Sequence, residues 1–239
     1  MIDPAIATAF DRIATRDADV RGAYRSGFTP AASDVARPSS PLPSRDPLSV
    51  ALPDGAYVLT PDANNRLTFT RDGSFQLRDG ELRAADGRPV LGFALGNRKS
   101  LVAMRVDPYD AALGRVASAR VEADGTVSYT RTTVEPRSGE RRTERVAIGR
   151  LALARFPAGT QPERIDAAHV VPPHGVAPHV GVPADGNFAS LATQTRDTGR
   201  VDLIAGLEKM KEAYVNFEAL RAAHHGRGET EKITMDLVK

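Results

Sequence analysis

The chain contains no cysteine and no tryptophan, and aromatic residues make up only 5% of its 239 positions. The lack of thiols excludes a disulfide framework, a thiolate nucleophile and any cysteine-based zinc site. Long apolar runs are missing too, so no stretch approaches the roughly 18 residues that span a bilayer. The opening Met1-Ile2-Asp3-Pro4 is followed by Asp11, Arg12, Arg16 and Asp17 before any long apolar run, which is not the charged-then-apolar plan of a secretory leader. Nor is charge one-sided. With 32 Lys+Arg against 30 Asp+Glu the net charge is +2, and the signs are interspersed, which argues against nucleic acid as a partner. The usual serine-hydrolase and phosphate-loop motifs are also absent.

What is present is an ordinary globular composition, 41% hydrophobic and 26% charged, with distinct textures along its length. From Pro4 to about Tyr24 the residues are mostly Ala, Arg, Asp and aliphatics, and Ile2, Ile6, Ala9, Phe10 and Ile13 fall at helical spacings of three and four, which predicts a short amphipathic helix within a segment 1–28. Residues 29–47 hold Pro30, Pro38, Pro41, Pro43 and Pro47 and read as an extended linker. From 48 to 200 short alternating runs are punctuated by Asp-Gly, the pair that supplies positive φ at hairpin turns. Asp72-Gly73, Asp79-Gly80 and Asp86-Gly87 recur every seven residues and predict a tight β-meander. Further strands are expected at 101–105, 117–122, 126–131 and 145–156, with another turn at Asp124-Gly125.

Segment 201–239 turns helical from Val201 to about His224, where Gly226 and Gly228 are expected to stop it. Leu203, Leu207, Met210, Tyr214 and Phe217 alternate steps of four and three, the 3.5-residue average that keeps one stripe facing a partner helix. A final apolar cluster follows at Ile233, Met235, Leu237 and Val238. The fold expected is therefore mainly β with α-helical termini. Short hairpins form the centre, and the amphipathic end helices, each exposing a stripe that wants a partner, pack with each other or with neighbouring copies as a coiled coil.

Sharper chemistry finds little support. His169, His174 and His179 lie five apart, a step matching neither a helix face nor one side of a strand, so they read as an exposed loop rather than a metal site. Asp72, Asp79, Asp86 and Asp124 each precede glycine, and turn formation explains them without catalysis. His224 and His225 would complement a helix C-terminus. The mixed-sign segment 131–150, with Arg137, Arg141, Arg142 and Arg145 among Glu135, Glu140 and Glu144, reads as a solvated hairpin whose tip could touch cell wall or a ring protein.

The run Phe69-Thr70-Arg71-Asp72-Gly73-Ser74-Phe75, with Gly80, Leu82, Gly87 and Gly92 behind it, resembles the signature of the bacterial flagellar rod and hook family. The stretch 119–127 and the strand Ile148-Gly149-Arg150-Leu151-Ala152-Leu153 to Phe156 are similar in order and spacing, as is Val201-Asp202-Leu203 with Ala213-Tyr214. The resemblance covers roughly residues 47–225, and its length suits a rod rather than a hook protein. It implies a structural axial subunit, proximal or distal, with no enzymatic activity, cofactor, metal or small-molecule substrate. Its partners would be itself, other rod and hook proteins and the flagellar type III export apparatus. The location implied is the periplasm-spanning basal body, reached without a cleaved leader or membrane insertion. The implied assembly residues are Ile6, Phe10 and Ile13 with Leu203, Leu207, Met210, Tyr214 and Phe217. The alternative is a non-catalytic β module that binds a cell-wall glycan or protein, its helices serving only to dimerise it.

Overall fold

A computed structural model describes residues 3–31, 36, 40–97, 99–135, 139–166 and 168–237, with side chains to 226. Ile2, Arg137, Val238 and the side chains of Ile233, Met235 and Leu237 lie outside the described residues. The protein is mainly β, 35% strand and 23% helix, with a helix at each end. It divides into two compact units. One comprises Met1–Arg25, Thr29–Pro38 and Gly199–Lys239; the other comprises Ser26–Phe28 and Ser39–Thr198.

In the first unit the N-terminal helix runs Pro4–Gly22. Asp3 caps it by accepting from the Ala5 N–H at 2.8 Å, and Pro4 occupies the first turn, where its missing N–H costs nothing. The C-terminal helix runs Leu203–Leu237. Asp202 begins it by accepting from the N–H groups of Ile204 and Ala205. The two helices lie antiparallel, with Val20 beside Gly206, Phe10 beside Phe217, and Pro4 and Ala5 near Leu220.

The expected stop at Gly226 is a correction: the backbone stays helical to Leu237. A glycine inside a helix costs only about 1 kcal/mol, which a 35-residue ladder of hydrogen bonds absorbs. His224 and His225 consequently lie in the helix interior rather than at its end. Within the stretch expected as a linker, Pro30 is buried and Ala36 bridges to Val201, while residues 32–35 and 37–39 lie outside the described residues.

The second unit holds a five-stranded and a six-stranded antiparallel sheet. The first runs Leu101–Ala103, Leu91–Ala94, Arg141–Leu151, Thr126–Val134, Val116–Val121. The second runs Glu163–Arg164, His169–Val171, Leu67–Thr70, Ala56–Pro61, Leu153–Arg155, His179–Gly181. The expected strand 145–156 is thus two strands. It leaves one sheet after Leu151, which pairs with Gly92, and joins the other at Leu153, which pairs with Val58. Leu151, Ala152, Leu153 and Ala154 are all fully buried because a strand crossing between sheets has core on both sides. A larger core holds Val50, Phe75, Leu82, Met104, Val127 and Tyr129. A smaller one holds Leu59, Phe69, Phe93 and Val182.

The expected meander is also corrected. Asp79-Gly80, at φ 52° and 74°, closes a two-residue hairpin joining Gln76–Arg78 to Glu81–Arg83, and Asp86-Gly87 turns the chain back so that Arg83 bridges Pro89 antiparallel. Asp72-Gly73 instead sends the chain out of the six-stranded sheet, because Leu67–Thr70 pairs with Ala56–Pro61 and His169–Val171. Asp124-Gly125 does turn between the strands expected there.

Candidate assembly interface and the signature turn

On the C-terminal helix, Leu203, Gly206, Met210, Ala213 and Phe217 are buried or half-buried, a run of steps three and four. Facing them the N-terminal helix offers Ile6, Ala9, Ile13, Arg16 and Val20 in the same rhythm. Small residues decide the seam. A Cβ on Gly206 would sit 3.2 Å from the Val20 methyl, so the helices approach closely there, and bulkier neighbours are displaced to the rim. Of the eight residues expected at an assembly interface, Ile6, Ile13, Leu203, Met210 and Phe217 are half-buried in this pair. Phe10, Leu207 and Tyr214 remain 60%, 45% and 57% exposed, although the Phe10 ring still lies 6.4 Å from that of Phe217.

Ile204 and Val215 add two more exposed apolar side chains on the same helix. A groove of about 680 Å³ opens between the two helices, walled by Pro4, Ala5, Ala9, Ala213, Ala219 and Leu220 together with the polar side chains of Thr8, Arg12 and Asn216.

The signature residues sit in the β unit, and most of them are structural. Thr70 Oγ1 accepts from the Asp72 N–H at 3.0 Å, and Asp72 accepts from the Ser74 N–H at 2.9 Å. Burial pushes the Asp72 carboxyl up, against the pull of that Ser74 N–H. Arg71 is almost fully buried, donating to the Ala56 carbonyl at 2.6 Å and ion-pairing with buried Asp197 at 3.6 Å. Gly73 passes so close to Val50 that a Cβ would meet its carbonyl oxygen at 2.0 Å. Phe75 and Leu82 belong to the larger core. Gly80 and Gly87 take positive φ, and Gly92 abuts the Arg150 carbonyl.

Reading Asp72 as a simple turn residue therefore missed what the turn holds. Gly27, at φ 70°, packs directly on the Arg71–Asp72 peptide, and Asp197 lies under Arg71. Segments far apart in sequence meet on one turn. A glycine before an aromatic at Gly27-Phe28 was the only local hint; nothing near Asp197 signals it.

The histidines are not one exposed loop. His169 is buried on its strand, its Nδ1 2.9 Å from Asp166, which Arg88 also binds at 2.6 Å. Arg88 reaches Asp86 at 3.0 Å as well. His179 stacks on Phe188 at 5.8 Å, and His174 is exposed. Among the described residues no group of three His, Asp or Glu side chains could hold a metal ion.

This cluster gives a pH prediction. Burial acts to raise Asp166, but the N–H groups of Ala168 and His169 and the His169 ring outweigh it and hold the carboxyl at about 2, from an ordinary 3.8. A depressed folded-state value contributes stability above pH 3.8 that is lost as pH falls through about 2. Replacing Asp166 by asparagine should flatten urea midpoints across that window, and an unchanged acid limb would refute the assignment.

No model of a known protein family matches the chain, and a search of curated proteins returns no significant match.

Proposed function

We propose that this protein is a structural axial subunit, a member of the flagellar rod, that self-assembles helically through its terminal helices. The observation carrying this reading is the row of exposed apolar side chains, Ile204, Leu207, Tyr214 and Val215 with Phe10, on a helix pair that already has its own seam. Burying a leucine-sized side chain yields about 1.5–3 kcal/mol, so a repeated contact of this kind drives association strongly. The three-and-four spacing on both helices suits continuation of the seam as a coiled coil into neighbouring copies. The resemblance of the 69–92 run to the rod and hook signature supports the choice of assembly. With it come export through the flagellar type III apparatus and a place in the periplasm-spanning basal body. Among the described residues no helix is long and apolar enough to cross a membrane, which agrees with an axial rather than inserted component.

The test is deletion of residues 201–239. The parent chain should form sedimentable filaments at high concentration and support swimming in its host. The truncated chain should do neither, while its β unit keeps a native circular-dichroism spectrum. Restoration of swimming by the truncated chain would overturn the reading.

A further inference from the structure

We infer that the outer face of the long hairpin in the β unit is a docking surface for an extended, carboxylate-bearing glycan. The inference is independent of helical assembly. Its basis is a sorting of charge that the linear sequence hides. In the sequence the six arginines of 131–150 are interspersed with three glutamates; on strands, alternate residues go to opposite faces.

Two contacts fix which residues share the outer face. Ser118 Oγ donates to Thr130 Oγ1 at 3.2 Å across the strand pair, and Arg145 lies 3.4 Å from Glu122. With Thr130 outward, its partner Arg145 and, further along, Arg141 are outward too, and Arg120 joins them from the neighbouring strand. Glu144 goes the other way. It pairs with Arg131 on the opposite face at 2.8 Å, and Arg131 reaches inward to buried Asp110 at 3.4 Å. Among the described residues of these strands and their ends, the outer face is left with three guanidinium groups and one carboxylate beside them, Glu122. Arg120 and Arg141 are exposed and have no acidic partner among the described residues.

The remaining outward positions are largely hydroxyls, including Ser118, Thr130 and Thr143. The chemistry of that surface selects its partner. Arginine presents a planar fork of donors matched to carboxylates, and hydroxyl rows match sugar hydroxyls. A protein partner would call for an extended apolar or aromatic centre, but Tyr129 points into the core and Val134, the large apolar side chain exposed on this face, sits at its end opposite Arg141. Single-stranded nucleic acid would call for exposed rings on which bases stack. Arg141 and Arg145 lie four residues apart on one strand, ~14 Å, so two groups of one extended polymer can be held at once.

The experiment titrates the full chain with polygalacturonate at low salt, with neutral dextran, polyphosphate and polyglutamate as comparison polymers. Polygalacturonate should bind more tightly than all three. Arg141→Ala with Arg145→Ala should weaken it by roughly a hundredfold, about tenfold per charge-assisted contact. Arg142→Ala removes an equal charge from the opposite face of the same strand and should change binding less than about twofold. All three positions are exposed, so thermal melts should be unaltered. The inference fails if polygalacturonate does not bind, if polyphosphate or polyglutamate binds as well, or if Arg142→Ala weakens binding as much as Arg141→Ala.

Discussion

Replacing Gly27 by alanine should destabilise the β unit by at least ~3 kcal/mol, enough to leave many molecules unfolded at ordinary temperature. The glycine sits at φ 70°, which costs an alanine about 1–2 kcal/mol by itself. The larger part is steric. A Cβ would lie 2.2 Å from the Asp72 nitrogen and 2.4 Å from the Arg71 carbonyl carbon, both backbone atoms that no rotamer change can move aside. Gly87→Ala makes the control, because φ there is 91° but nothing lies within 4 Å, so only the conformational cost applies. Urea unfolding followed by tyrosine fluorescence should place the Gly27 variant far below the Gly87 variant. Similar midpoints would mean that the signature turn does not hold the 26–28 segment as described.

The second large effect is on association. Under the proposed assembly, Leu207→Glu combined with Tyr214→Glu should abolish self-assembly at concentrations where the parent chain is expected to polymerise. The two positions lie on one stripe and are half-exposed in the single chain, so charge there costs the monomer little. In a packed assembly each carboxylate would be buried without a partner, a penalty of several kcal/mol per site. Met210→Glu has a different signature, since Met210 faces the N-terminal helix and its loss should loosen the pair within one chain. Sedimentation velocity with electron microscopy separates the two. If the Leu207/Tyr214 variant polymerised normally, the exposed rim would have no part in assembly.

These contrasts show what the sequence carries and where it stops. Both helices were legible from apolar spacing, and the strands flanking Asp124-Gly125 from alternation. The stripe on the C-terminal helix was legible only to its bulk. Periodicity weights large residues and chose Leu207 and Tyr214, while the seam between the helices is set by Gly206 and Ala213, whose smallness permits close approach. The helix end was misplaced because glycine weakens a helix without compelling it to stop. The reading of Asp72-Gly73 as a hairpin failed because the same dipeptide serves equally well where a chain changes sheets. The partners of Arg71, in particular Asp197, lie at sequence separations that no local pattern encodes. The outer face of the 126–151 hairpin was hidden for a related reason: composition averages over both faces, and only register separates them.

The unequal lengths of the paired helices have one more consequence. At 1.5 Å per residue the C-terminal helix is ~52 Å long and its partner ~28 Å. The N-terminal helix begins opposite Leu220, and the backbone of the longer helix continues beyond that point to Leu237. An isolated stretch of that length is marginal in water. Any second copy that shelters this overhang must sit displaced along the axis, and its own overhang is then carried forward by the same step. In the proposed assembly, a stagger of this kind would give growth a direction, each addition re-creating the cohesive end it covers, as in an open filament rather than a closed ring.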